Sequence, residues 1–140
     1  MVTLKTLYLE FISRKGFEVK RVSDWLRQAE RDLEEAGYAK RGGYYELACF
    51  LSQQAAEKAA KALLQYLGVE RRSHSVLHLL QDAPGEIAQC AAYLDKHYIP
   101  ARYPDAYVEG APYEYYTERD ADECLNCALR ILNWVKGRVK

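Results

Sequence analysis

The sequence has no apolar run approaching the ~18 residues that a membrane-crossing helix needs, so no transmembrane segment is expected. It has no surplus of either charge, since 20 basic residues balance 20 acidic ones. That balance argues against a protein that coats nucleic acid or membrane by bulk electrostatics, and leaves room for a local basic patch. Internal repeats and low-complexity segments are missing too, which sets aside repeat arrays. The first residues hold one lysine ahead of a broken apolar stretch and no small-residue cleavage site. No signal peptide is therefore expected, and the expected compartment is the cytoplasm.

Also lacking is any cysteine spacing that spells a disulfide framework. Cys49, Cys90, Cys124 and Cys127 lie within helical patterns rather than loops. Cys124 and Cys127 form a CxxC, but no strand pattern precedes it as thioredoxin-type chemistry requires. No second close pair completes a structural zinc site. The expectation is buried cysteine acting as a small hydrophobe, with metal or redox chemistry the other reading.

What is present is helix. At 140 residues the chain is long enough for one domain burying roughly 70% of its unfolded surface. From Tyr44 to Leu67, apolar residues recur at steps of three and four, the period that lines one side of a helix. Ala55, Ala56, Ala59, Ala60 and Ala62 make that face small, which lets neighbouring helices approach closely and places this helix at the centre of a bundle. Gln54, Glu57, Lys58, Lys61 and Gln65 interrupt the face and favour water or a polar neighbour. A first helix is expected over 19–38, stopped by Gly37 and the glycines that follow. A short third helix starts near Ser75, a fourth covers 86–98, and a fifth begins with Thr117 as N-cap. Between the last two, 99–116 holds three prolines and reads as a long loop. Residues 1–18 form an N-terminal extension that could be an extra helix, an arm or a tail. The fold class is all-α, an up-and-down bundle of about five helices over 19–140.

Several blocks resemble the HEPN domain family: WLRQAERDLEEA at 25–36, QQAAEKAAKALLQYLG at 53–68, SHS at 73–75 and YIPARYPDAY at 98–107. The resemblance implies an α-helical bundle that commonly dimerises. It also implies association with a nucleotidyltransferase encoded alongside, and with nucleotide binding or RNA cleavage. The ribonuclease branch uses Arg-x(4–6)-His without a metal, histidine moving a proton and arginine steadying the phosphate. This sequence departs from that pattern, because no histidine follows Arg102. Arg71 and Arg72 stand at the right spacing from His78, but ahead of the third helix. The leading expectation is a nucleotide- or RNA-binding module working with a nucleotidyltransferase. The alternatives are a metal-independent endoribonuclease toxin and a non-catalytic dimeric subunit.

Independently of the family, alternate loops of an up-and-down bundle share an end. One end is then expected to gather Lys20, Arg21, Arg71, Arg72, His74 and Arg102 with the N-termini of helices one, three and five, a setting suited to phosphate. Tyr98 and Tyr103 offer flat faces for a base, and Asp105 joins the expected ligand site as an acid for chemistry. The plainer alternatives are Arg102 pairing with Asp105 or capping helix four, Asp105 making a turn hydrogen bond, His74 capping helix three, and the loop tyrosines packing the loop. His97 is expected in solvent. No metal or cofactor is expected. A homodimer is expected, through apolar residues around Tyr44, Tyr45 and Tyr66.

Overall fold

The computed structural model describes residues 3–5 and 18–139. The 1–18 extension lies outside the described residues apart from 3–5 and the backbone of Glu18, as does the side chain of Lys20. Among the described residues the regular structure is helical. It comprises α1 (Glu18–Arg41), α2 (Tyr45–Leu67), α3 (Val76–Leu79), α4 (Gly85–Asp95) and α5 (Glu118–Arg138), with two 3-10 turns at Pro104–Ala106 and Pro112–Glu114. No helix among them is long and apolar enough to cross a membrane.

Helix α2 is the central element. Its five face alanines are each at most 1% exposed, and α1 and α5 pack closely against them. Helix α1 runs through Gly37 to Arg41 rather than ending near Tyr38. Ala36 and Ala39 keep its buried stripe going, and that packing outweighs the ~1 kcal/mol helix penalty of one glycine. The reversal falls at Gly43, whose φ of 84° only glycine adopts freely. Lys40 pairs with Asp122 and Lys136 with Glu30, which sets α1 and α5 antiparallel. Ala48 and Ala121 share a small cluster, so α2 and α5 start side by side.

Helix α4 lays Ile87, Cys90, Ala91 and Leu94 on the core. Cys90 is bonded to Cys127 of α5, across a sequence separation of 37. The reading of all four cysteines as free hydrophobes is therefore corrected for Cys90 and Cys127, while Cys49 and Cys124 are buried and outside any disulfide. Helices α4 and α5 bring their cysteines to a Cα distance of 5.0 Å, within bonding reach, a juxtaposition that sequence spacing does not reveal.

The 99–116 loop is less irregular than expected. Pro104 and Pro112 each open a 3-10 turn. Tyr107 donates to the Pro100 carbonyl at 2.9 Å and stacks on Tyr115 at 4.2 Å. These tyrosines thus pack the loop. His97 is not in solvent but half-buried, its Nδ1 2.7 Å from the Tyr116 hydroxyl. Burial lowers the pKa of its imidazole below the usual histidine value.

Candidate functional site

Gly68 ends α2 in the left-handed conformation, φ 69°. Val69 donates back to the Leu64 carbonyl at 2.9 Å, turning the chain sharply. Instead of staying at the end of the bundle, the segment after Gly68 runs back along α2. The eight residues 68–75, extended, span roughly 26 Å, enough to match the ~21 Å between Leu67 and Gln53 on the helix. Hydrogen bonds to α2 and α3 help hold it there. The buried Gln53 amide donates to the His74 carbonyl at 2.7 Å, and Arg71 Nη1 donates to the Leu79 carbonyl at 3.1 Å.

Between this segment, α2 and the start of α1 lies a groove of about 870 Å³. Four cations line it, Arg21, Lys61, Arg71 and Arg72, against a single acidic wall residue, Glu70. Trp25 supplies a flat apolar face, with Lys61 Nζ 5.6 Å from the ring centroid. Gln65 lines the groove as well, and its side-chain oxygen is buried without a hydrogen-bond partner among the described residues. Glu57 lies beneath, its side chain 7% exposed. It accepts from Lys61 Nζ at 2.9 Å and sits 3.3 Å from Nδ1 of the exposed His74. Asp32, buried just as deeply, holds Lys58 at 2.5 Å and Gln28 at 2.9 Å. Each buried carboxylate thus has a lysine partner, as a desolvated charge requires.

The structure gathers Arg21, Arg71, Arg72 and His74 but leaves Arg102 elsewhere. Arg102 Nε caps the chain after α4 by donating to the Tyr98 carbonyl at 2.8 Å. Its guanidinium lies 4.4 to 5.0 Å from the rings of Phe50, Tyr98 and Tyr103. Phe50 and Leu64 are about 21 Å apart along α2, so the expectation of one shared end for Arg71 and Arg102 is corrected. The link between the two regions is Tyr98, on which the His74 ring stacks at 5.4 Å and 16°. Asp105 is exposed in its 3-10 turn, and among the described residues Arg102 does not pair with it. Tyr103 is half-exposed beside Arg102. His78 is exposed, 3.2 Å from Gln81, and does not line the groove.

Two helix ends expected to attract phosphate are already occupied. Asp95 takes that of α3, accepting from Ser75 Oγ and from the Val76 and Leu77 amides at 2.8 to 3.0 Å. Asp120 and Thr117 close a capping box on α5. The sequence marked Glu57 and Lys61 only as interruptions of the α2 face, and assigned neither them nor Trp25 to a site. The clue was the spacing of Gln53, Glu57, Ala60 and Leu64, one buried stripe at helical period with two polar members.

The fold and groove define an all-α bundle with a basic concavity between its first two helices and the 68–75 segment. The HEPN domain family matches residues 22–138, and the chain belongs to that family. A Methanocaldococcus jannaschii protein named as a candidate toxin, MJ1304, is 31% identical, covering 89% of this chain and 92% of that one. The crystal structure of ST0689, an archaeal HEPN homologue, is 73% identical, with a TM-score of 0.79 over 85% of this chain and 98% of that one. TT1696 from Thermus thermophilus is 41% identical, with a TM-score of 0.81 over 84% of this chain and 97% of that one.

Proposed function

We propose that this chain binds a phosphate ester, a nucleotide or an RNA segment, in the groove between α1, α2 and the 68–75 segment. The observation that carries this reading is a groove lined by Arg21, Arg71, Arg72 and Lys61, with Lys61 held by Glu57 beneath and Glu70 the acid in its lining. Arginine forks suit phosphate oxygens, the Trp25 face suits a base, and the unpaired Gln65 oxygen suits an amino or hydroxyl donor. In this reading the module works with a separate nucleotidyltransferase chain. It also pairs with a second copy of itself, through exposed rings such as Tyr44 and Tyr66.

Calorimetry with nucleoside triphosphates and short RNAs tests the binding. Arg72→Ala should weaken it about tenfold, the value of one charge-assisted contact. For RNA the same change should lower the salt dependence by about one unit. No binding by the wild-type chain to either ligand class ends the proposal.

A second reading is favoured by the His74–Glu57 contact of 3.3 Å at the edge of the groove. A carboxylate at Nδ1 orients an imidazole so that Nε2 can take a proton from an RNA 2′-hydroxyl, with arginine steadying the phosphate. The toxin name of the Methanocaldococcus jannaschii relative agrees with such cleavage. RNA incubated with chelator should be cut by the wild-type chain and spared by His74→Ala. Intact RNA with both would leave binding as the whole activity.

A further inference from the structure

We propose that Cys49, His97 and Cys124 form a binding site for a thiophilic divalent cation of the zinc type, buried away from the groove. The three residues come from the start of α2, the turn after α4 and the start of α5. Their ligand atoms all lie within 4.8 Å of one another. Zinc bonds of about 2.3 Å to sulfur and 2.0 Å to nitrogen place such atoms roughly 3.5 to 4 Å apart. Against the 4.8 Å limit, the atoms need to close by at most about 1.3 Å.

The second, independent observation is the state of His97. Its Nδ1 is engaged by the Tyr116 hydroxyl at 2.7 Å. Its Nε2 is buried with no hydrogen-bond partner among the described residues. In the tautomer whose Nδ1–H donates to the phenol, Nε2 presents a bare lone pair. This is the usual arrangement of a metal-bound histidine, one nitrogen on the ion and the other fixed by an outer partner. Both cysteines are fully buried and free. Cys127, the other member of the CxxC, is committed to Cys90, so Cys124 is left to a different task.

Charge selects the class of ion. Two thiolates and a neutral imidazole carry two negative charges, which a divalent cation cancels, and a buried site tolerates a neutral cluster best. A monovalent copper ion would leave one charge uncompensated. Sulfur donors disfavour magnesium and calcium. Three protein donors leave a fourth position open on the ion. Each ion bound displaces the two thiol protons to solvent.

The test uses the full chain, freed of metal with chelator and titrated with cobalt(II), then zinc. The expected result is one equivalent of cobalt with thiolate-to-metal absorption, its displacement by zinc, and a higher melting temperature with zinc. Cys124→Ser should abolish the absorption. Tyr116→Phe should keep it and weaken affinity roughly 10- to 100-fold, as loss of an outer partner does. The wild-type titration stands even if a variant folds poorly. The proposal is overturned if the wild-type chain gives no absorption and no zinc-dependent melting shift. It is equally overturned if thiol titration shows Cys49 and Cys124 joined as a second disulfide, or if the absorption survives Cys124→Ser.

Discussion

Asp95 shows how much one side chain can organise. It stands at the end of α4 and accepts hydrogen bonds from Ser75, Val76, Leu77 and Gln53, all distant in sequence. Through Gln53 it also fixes the His74 carbonyl. Asp95→Ala should therefore destabilise the fold by roughly 2–3 kcal/mol, the range for hydrogen bonds to a charged group, and loosen the groove wall. Urea unfolding and ligand titration of the same variant check both effects. The phenols of Tyr93 and Tyr116 are pushed up, chiefly by burial. Their folded state holds protons that the unfolded chain releases above pH ~10, so stability should drain as pH rises past that point. In a spectrophotometric titration these two tyrosines should ionise only as the chain unfolds. Thr117 as N-cap was legible because its partner, Asp120, is three residues away. Asp95 was not, because its role depends on a contact made only once α4 has packed.

Elements with a strong period were the easiest to read. The three long helices follow from apolar spacing and the small α2 face, and the bundle arrangement follows from the turns that join them. That face should be intolerant of bulk: Ala60→Leu places a branched side chain at a position with no exposure and should cost about 1–3 kcal/mol through overpacking. The α4–α5 disulfide closes a loop of 37 residues, for which the chain-entropy relation gives about 4 kcal/mol. Cys127→Ala should lower the melting temperature on the order of 10 °C, which calorimetry would detect. What periodicity could not supply was the path of 68–75. An extended segment carries no helical signal, and its return along α2 decides which cations meet.

At the scale of the whole molecule, the basic groove and the Arg102 cluster are separate structures joined through Tyr98. Arg102→Ala should lower stability by about 1–2 kcal/mol, from lost ring contacts and a lost cap. It should weaken groove affinity less than Arg72→Ala does. Parallel melts and titrations of the two variants measure that difference. The sequence placed Arg71, Arg72 and His74 together, and all three line one groove. It misplaced Arg102 because counting alternate loops assumes that every connection stays at its own end. The covalent bond between Cys90 and Cys127 encloses the whole 99–116 stretch, whose tip at Val108 is fully exposed. A protease that nicks the chain at that tip leaves two fragments still tethered. They should migrate as one band on a denaturing gel until a reductant lets them part.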